Sequence, residues 1–212
     1  DCSHLDSMLD WSLMPEQQSP SLTTAVAESL RETCPSAKQF SELIVAGRRA
    51  ISEAVVMGCD LEAMWRESDP EKRLPGGYRR HQVVSDEALG FTVVVLLWEP
   101  GAVTPIHDHD TWCVFGILEG GLEVTDYAVA EDDGSSPFVV NEVRREILSA
   151  GLTGDNLGAD SEVHRVRNVG TERAISLHVY GDDLTKRELF FGRGVRVDGR
   201  EDCFGHQQKT AY

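Results

Sequence analysis

The sequence predicts a mainly β protein, a jelly-roll sandwich or small barrel, with an α-helical N-terminal extension. From residue 75 onward the apolar runs are short, rich in β-branched residues and bounded by Gly, Pro, Asp or Asn, which is typical of strands joined by turns. Before that point, apolar residues recur at steps of three and four, which indicates amphipathic helices. At 212 residues the chain is long enough for one domain with a full core and such an extension.

Residues 1–74 are predicted to be an arm followed by helices that pack on the barrel. The first 20 residues are polar, contain prolines at positions 15 and 20 and show no period, so we expect a loose arm. Helices are predicted over residues 21–34, 36–58 and 61–66, with Ser36 as the N-cap of the second. The apolar face of this second helix comprises Phe40, Leu43, Ile44, Ala50, Ile51, Ala54 and Val55.

Residues 75–212 are predicted to form the barrel domain, after a linker that reads DPEKRLPGG. Strands are predicted in the runs RRHQVVSD, GFTVVVLLWEP, TWCVFGIL, LEVTDYAVA, REILSAG, SEVHRVRNVG, RAISLHVYGD and KRELFFG. Glu119, Gly120 and Gly121 predict a tight hairpin turn between the two strands that flank them. The polar tail after Gly199 fits either an ordered or a frayed segment.

The net charge indicates which classes of partner are unfavourable, and the cysteines indicate the cellular compartment. The formal net charge of −16 argues against nucleic acids and anionic membranes, which attract clusters of Lys and Arg. No apolar run reaches the ~20 residues of a membrane helix, and the N-terminus lacks the basic start and apolar core of a signal peptide. The five scattered cysteines favour reduced thiols over a disulfide framework, and hence a cytoplasmic location.

Two histidines, His107 and His109, stand one residue apart within the stretch GAVTPIHDHDTWCVFGILEG. On a strand, residues i and i+2 point to the same face, so both imidazoles are predicted to project to one side and to form part of a metal site. His164, in the run VHRVRNV, is the candidate for the third ligand. The alternative is a solvated turn, but the apolar strands on both sides of the pair make the metal site the better interpretation.

The spacing around these histidines resembles the first motif of the cupin superfamily. The residues that match its pattern are Gly101, His107, His109 and Gly120. Cys113 stands where that motif usually carries a glutamate ligand, and the segment from His164 to Asn168 resembles the second cupin motif. The resemblance implies a cupin (jelly-roll) β-barrel. Without the carboxylate, the ligand set is three neutral imidazoles, which suit iron, copper or zinc.

A further motif is similar to one of the thiol dioxygenases, non-haem iron enzymes that convert a thiol to a sulfinic acid. Ser176, His178 and Tyr180 resemble the Ser-x-His-x-Tyr relay of that family, and as alternate residues of a strand they share one face. The resemblance implies that the three histidines bind Fe(2+) and that the relay points into the barrel. The alternative for the relay alone is a strand whose inward polar side chains satisfy one another.

Other positions bear on the substrate. Tyr78 and Arg80 look like the Tyr-x-Arg segment with which cysteine dioxygenases bind the substrate carboxylate, a task that suits the planar guanidinium fork. Cys113 matches the cysteine that, in those enzymes, can join covalently to the relay tyrosine, here Tyr180. The alternatives are a solvated strand-edge charge for Arg80 and a small buried hydrophobe for Cys113.

The sequence also resembles the 3-mercaptopropionate dioxygenases, in the motif TPxHDHxxW that ends at Trp112. Those enzymes typically have Gln and Gly at the positions of Arg80 and Cys113. They take the carboxylate-binding arginine from a later strand, where Arg187 is the match. The chain carries an arginine at both places, so the resemblance leaves the choice between cysteine and 3-mercaptopropionate open.

The sequence therefore predicts a cytoplasmic, Fe(2+)-dependent thiol dioxygenase. Its partners would be a small-molecule thiol and O2, with no nucleic acid and no membrane. The first alternative is a bulkier thiol or thione as substrate, such as ergothioneine or mercaptosuccinate. The second is a cupin of another activity: a metal-dependent isomerase, a carbon dioxygenase or a non-enzymatic ligand-binding protein. The oligomeric state does not follow from the sequence.

Overall fold

A computed structural model describes residues 22–33, 40–57, 60–69, 73–74, 76–109, 111–131, 137–157, 163–181 and 187–209. In this part of the chain, three helices precede eleven strands. The helices are α1 (Leu22–Thr33), α2 (Phe40–Met57) and α3 (Leu61–Glu67). The strands are β1 (Tyr78–Asp86), β2 (Phe91–Trp98), β3 (Ile106–Asp108), β4 (Cys113–Glu119), β5 (Gly121–Glu131), β6 (Phe138–Ser149), β7 (Thr153–Asn156), β8 (Val163–Arg167), β9 (Ala174–Tyr180), β10 (Arg187–Val197) and β11 (Arg200–Lys209).

The strands form two sheets that face each other. One sheet has five strands in the order β1-β2-β9-β4-β7, and the other closes on itself in the order β10-β11-β3-β8-β5-β6. Side chains from both sheets build one apolar core, to which β2 and β4 contribute Leu96 and Phe115 and to which β5 and β8 contribute Val124 and Val166. The predicted mainly β fold, a cupin (jelly-roll) barrel, is therefore confirmed.

The N-terminal helices pack on the outer face of the five-stranded sheet. An apolar cluster there joins Leu30 of α1 and Ile51 of α2 to outward residues of the sheet such as Val114. Helix and sheet come close at two glycines: a Cβ at Gly116 on β4 would lie 2.3 Å from Cγ2 of Ile51, and a Cβ at Gly47 on α2 would lie 2.9 Å from Cγ2 of Val114. Larger side chains at either glycine would force the helix off the sheet. The α-helical N-terminal extension is thus confirmed as a layer on the barrel.

The apolar face predicted for the second helix is the face that α2 turns to the sheet. Ala50, Ile51 and Ala54 are buried, and Ile44 packs partly buried against the same cluster. The predicted arm over residues 1–20 lies outside the described part of the chain. The side chains that also lie outside it are Phe40, Leu43, Val55 and the predicted cap Ser36.

The hairpin predicted at Glu119-Gly120-Gly121 is wrong, although a tight turn does lie there. β4 pairs with β7 and β9, whereas β5 pairs with β6 and β8, so the chain crosses from one sheet to the other at this turn. Gly120 has a φ of 75°, and a Cβ there would lie 2.6 Å from the carbonyl oxygen of Arg173, so the turn requires glycine. Two adjacent apolar runs predict two strands, but they do not determine which sheet each strand joins.

The polar tail after Gly199 is ordered as β11, which pairs with both β10 and β3. This pairing closes the second sheet next to the strand that carries His107. Among the described residues, no helix combines the length and the apolar character that crossing a membrane requires. The division of the chain between residues 74 and 75 stays a prediction.

Candidate active site

Three histidines from neighbouring segments of the closed sheet lie together between the two sheets. His107 on β3 is directly opposite His164 on β8, and His109 follows immediately after β3. All three side chains are buried, and one nitrogen of each ring lies within 4.8 Å of those of the others. The ring centroids are 4.3 Å apart for His107 and His164, 4.7 Å for His107 and His109, and 4.8 Å for His109 and His164. The antiparallel pairing of β3 with β8 thus brings His164 to the two histidines of the His-x-His motif.

The protonation and orientation of these rings suit metal binding. Burial, together with the nearby imidazole of His164, holds the pKa of His107 well below its usual value, so this ring is neutral. Nδ1 of His107 donates to the carbonyl oxygen of Pro105 at 3.0 Å, and Nδ1 of His164 lies 3.1 Å from the side-chain amide nitrogen of Asn156. Because Nδ1 of His107 donates, Nε2 is the nitrogen that this ring can offer to an ion; His164 can do the same where Asn156 turns its amide oxygen, an acceptor, to Nδ1. Three buried imidazoles fit a divalent ion such as iron, copper or zinc.

Ser176, His178 and Tyr180 project from β9 into the same space. Oγ of Ser176 lies 2.7 Å from Nε2 of His178, and the indole N–H of Trp98 donates to the same Oγ at 2.9 Å. Burial lowers the pKa of His178 to about 3, so its ring is neutral at physiological pH. The ring of Tyr180 lies edge-on to the ring of His109, with centroids 5.0 Å apart. The three relay residues and the three histidines therefore share one site.

Cys113 lies between His178 and Tyr180 in this network. It is directly opposite Tyr180 in the pairing of β4 with β9, and its Sγ is 3.8 Å from Nδ1 of His178. The hydroxyl of Tyr180 donates a hydrogen bond to the same sulfur, and the thiol lies 3.7 Å from the carbonyl oxygen of Val114. Burial raises the pKa of both Cys113 and Tyr180, so both keep their protons. The hydrogen bonds that start at Ser176 thus reach the phenol through a cysteine, not directly.

Tyr78 and Arg80 lie on the inner face of β1. Tyr78 is buried and stacks on the indole of Trp98, with ring centroids 4.9 Å apart. Burial lowers the pKa of Arg80 to about 10, while the phenols of Tyr78 and Tyr180 act in the opposite direction. The guanidinium therefore stays charged at neutral pH and lies close enough to both phenols to interact with them. The residue between Tyr78 and Arg80 faces α3 on the other side of the sheet.

A small cavity of about 30 Å³ lies at the centre of this site. Its lining includes the three histidines, Cys113, His178 and Tyr180, which the sequence predicts as site residues. Arg187 begins β10, where it is paired with Lys209 of β11, and its side chain lies outside the described part of the structure. Of the two candidate carboxylate-binding arginines, the structure therefore describes only the surroundings of Arg80.

Among the lining residues that the sequence prediction omits, Trp98 and Asn156 make polar contacts with Ser176 and His164. Trp98 occupies the same inward face of β2 as Leu96, so strand alternation alone could indicate that it points into the barrel. Asn156 lies in the run TGDN, which has the composition of a turn. Its position beside His164 depends on the pairing of β7 with β4, for which the local sequence carries no signal.

The chain matches the family model described as cysteine dioxygenase type I over residues 62–190. It is similar to cysteine dioxygenase type 1 of Bos taurus, with 34% identity over 107 residues, which cover 49% of this chain and 51% of the relative. The protein of the same name from Danio rerio is 33% identical over 119 residues, covering 53% and 56%. The chain thus spans about half the length of the curated relatives it matches. Among solved structures it is similar to a cupin 2 conserved barrel domain protein from Salinispora arenicola, with 20% identity and a TM-score of 0.38 over 53% of this chain and 82% of that one.

Proposed function

Because the chain belongs to the cysteine dioxygenase type I family, we propose that it is an Fe(2+)-dependent thiol dioxygenase, which converts a small thiol and O2 to the sulfinic acid. Both oxygen atoms end on the sulfur, so the reaction needs no other oxidant or reductant. The observation that carries the proposal is the edge-on contact of Tyr180 with His109, at a centroid distance of 5.0 Å. A proton-bearing group therefore stands beside the three-histidine cluster, inside one small cavity.

His107, His109 and His164 are the residues we propose as the iron ligands. Their imidazoles carry no charge when they bind a metal, so the cluster favours an ion that also takes an anionic ligand from outside the protein. When bound, iron(II) supplies a site where the thiol is held as a thiolate and where O2 is activated. The carbonyl of Pro105 holds the ring of His107 through Nδ1, which supports a fixed geometry for this ligand.

Tyr180 is the residue we propose as the hydrogen-bond donor to the reacting substrate. Its raised pKa keeps the phenol protonated at neutral pH, so it acts as a donor and not as a base, and its single hydrogen turns from Cys113 to the substrate to make this contact. Ser176 contacts His178, and His178 contacts Cys113, so these two residues reach Tyr180 through the cysteine. The hydrogen bond from Tyr180 to Cys113 also supports the thioether between them that the family resemblance implies. That bond forms with the loss of two hydrogens, for which O2 is the oxidant.

The substrate we propose is a thiol with a carboxylate group, either cysteine or 3-mercaptopropionate. The charged guanidinium of Arg80, close to the phenols of Tyr78 and Tyr180, supports a carboxylate site on the β1 side of the cavity. Arg187 is the second candidate for the carboxylate, on the strength of the resemblance to the 3-mercaptopropionate dioxygenases.

The same proposal includes a cytoplasmic location and, as partners, a small-molecule thiol and O2, with no nucleic acid and no membrane. The scattered cysteines support a reducing compartment, and Cys113 is a free, buried thiol. The net charge of −16 supports the absence of nucleic acid and anionic membrane from the list of partners.

Oxygen uptake with a panel of thiols tests this function. Iron-loaded protein would be incubated in an oxygen electrode with cysteine, 3-mercaptopropionate, cysteamine, mercaptosuccinate and ergothioneine, and the products identified by mass spectrometry. We expect one O2 consumed for each sulfinate formed, with cysteine or 3-mercaptopropionate as the fastest substrate. Metal-free protein is the control. Iron-loaded protein that consumed no oxygen with any thiol would contradict the proposal and favour another cupin activity.

A further inference from the structure

We infer that Trp98 fixes the direction of the hydrogen bonds behind Tyr180, so that His178 carries its single proton on Nδ1 and directs it at Cys113. Trp98 is thereby a positioning residue, which acts through the hydroxyl of Ser176. The proton positions follow from the hydrogen bonds alone. Only their catalytic meaning rests on the proposed function.

The network begins at a group that can donate but cannot accept. The indole N–H of Trp98 is a donor only, and it donates to Oγ of Ser176 at 2.9 Å. Ser176 has no exposed surface, and within the part of the chain that the structure describes its Oγ has one further partner, Nε2 of His178 at 2.7 Å. The hydroxyl hydrogen of Ser176 must therefore go to Nε2, because any other direction leaves a buried donor without an acceptor.

The tautomer of His178 follows from this direction. Because Nε2 accepts, the one proton of the neutral ring is on Nδ1, which lies 3.8 Å from Sγ of Cys113. The same sulfur accepts a hydrogen bond from Tyr180, and its own S–H lies 3.7 Å from the carbonyl oxygen of Val114. In this arrangement every donor of the network has an acceptor. In the reverse arrangement, with the proton on Nε2, the hydroxyl hydrogen of Ser176 has none.

The tautomer determines what the network can do. The lone pair of His178 is on Nε2 and is already used by Ser176, so the ring cannot take a proton from the direction of Cys113 and Tyr180. Cys113 receives hydrogen bonds from two donors, Nδ1–H of His178 and the hydroxyl of Tyr180, and both donors stabilise negative charge on its sulfur. In terms of the proposed function, His178 cannot take the proton of Tyr180, so the phenol keeps the single hydrogen that it can turn from Cys113 to the substrate.

Nitrogen-15 NMR of the imidazole tests the inference, because protonated and unprotonated ring nitrogens have well-separated shifts. The full chain would be labelled with 15N-histidine and freed of paramagnetic metal, and the His178 signals assigned by their loss in His178→Gln. We expect the wild type to be protonated on Nδ1. In Trp98→Phe the donor is lost and the smaller ring leaves room for water, which accepts as well as donates. We expect that variant to show a mixture in which Nε2 is also protonated.

Two further variants separate a specific effect from general damage. Ser176→Ala removes the donor to Nε2 and should also yield a mixture, whereas Trp65→Phe removes an indole on the outer side of the sheet and should leave the wild-type tautomer. A wild-type His178 protonated on Nε2 would overturn the inference. An unchanged tautomer in a folded Trp98→Phe protein would overturn the role of Trp98, and if that variant does not fold, the wild-type and Ser176→Ala spectra still decide the direction. Failure of oxygen uptake would count against the proposed function and leave this result unaffected.

Discussion

His107 and His164 face each other directly across the antiparallel pairing of β3 and β8, with ring centroids 4.3 Å apart. The separation of such a cross-strand pair is determined by the backbone hydrogen bonds of the sheet, so the two rings are not held by a loop. His109 joins them one residue beyond the end of β3. A site built on strands in this way keeps the positions of its ligands well defined, which is what an ion with few protein ligands requires.

Replacing His164 by alanine is expected to remove iron and abolish oxygen uptake, because two nitrogens do not retain a divalent ion in competition with water. Metal analysis after gel filtration measures the iron content. His81→Gln is a matched control, since His81 is another buried histidine that is absent from the described lining of the cavity. That variant should keep its iron. A His164→Ala protein with full iron and full rate would rule out the three-histidine site.

Tyr180→Phe is expected to leave iron bound but to slow turnover by roughly 10²–10⁴, the range for a positioned proton-transfer group. The change removes only the hydroxyl, so the ring still contacts His109. The rate would be measured at saturating thiol, with iron content determined on the same sample. Tyr127→Phe, in a separate buried cluster, is the control and should turn over normally. An unchanged rate in Tyr180→Phe would show that the hydroxyl of Tyr180 takes no part in turnover and that the relay residues only pack against one another.

Arg80→Gln is expected to raise the Michaelis constant for cysteine and 3-mercaptopropionate by roughly 10- to 150-fold. This range corresponds to the loss of a charge-assisted hydrogen bond worth about 1.5–3 kcal/mol. Cysteamine, which has no carboxylate, should be almost unaffected.

Arg187→Gln is the matched control for Arg80→Gln and should be nearly silent. The reverse result would be a raised Michaelis constant in Arg187→Gln and an unchanged one in Arg80→Gln. It would place the carboxylate at the start of β10 and favour 3-mercaptopropionate as the substrate. Silence at both positions would exclude a carboxylate anchor by either arginine and favour a thiol without a nearby acid group.

Aerobic turnover is expected to produce a thioether between Cys113 and Tyr180, because the two residues are cross-strand neighbours joined by a hydrogen bond. Peptide mapping by mass spectrometry would detect a linked peptide that contains both residues and lacks two hydrogens. Cys113→Ser cannot form the bond and serves as the control. The prediction fails if many turnovers leave only separate, unmodified Cys113 and Tyr180 peptides.

The metal-free protein is expected to lose stability as the pH falls below about 6.5, the usual pKa of a histidine. Burial lowers the pKa of His178 to about 3 in the folded state, so between these values the unfolded chain binds a proton that the folded protein does not. The free energy of unfolding therefore decreases with falling pH, by up to about 1.4 kcal/mol per pH unit for each such histidine. Urea titrations at roughly pH 7 and pH 5 would measure this decrease. His178→Gln should make it smaller, and an equally steep decrease in that variant would contradict the prediction.

Local sequence patterns predict the elements of this fold better than their arrangement. The run that became β2 is apolar throughout, and all of its residues are buried, because one face meets the barrel core and the other meets the helices. The alternation in β9 likewise predicts that Ser176, His178 and Tyr180 share a face. By contrast, β7 has only four residues and no apolar pattern, so the sequence did not indicate it.

The parts of the site that the sequence does not predict depend on pairing between distant segments. Cys113 comes between His178 and Tyr180 because β4 lies beside β9, and Asn156 reaches His164 because β7 lies beside β4. Neither relation has a local signature, since the same strands in another order would have the same composition. The wrong hairpin at Gly120 has the same origin. Motif resemblance indicated the histidines and the relay, but not the residues that orient them.

The two sheets divide the proposed site between them. The three histidines belong to the segments around β3 and β8 of the closed sheet, whereas Arg80 and Tyr180 belong to β1 and β9 of the other. Since each sheet is held by its own backbone hydrogen bonds, substitutions in the five-stranded sheet can reshape the substrate side while the ligand positions stay in place. In the proposed site, the residues that would select the thiol can therefore change without a change in the residues that would hold the metal.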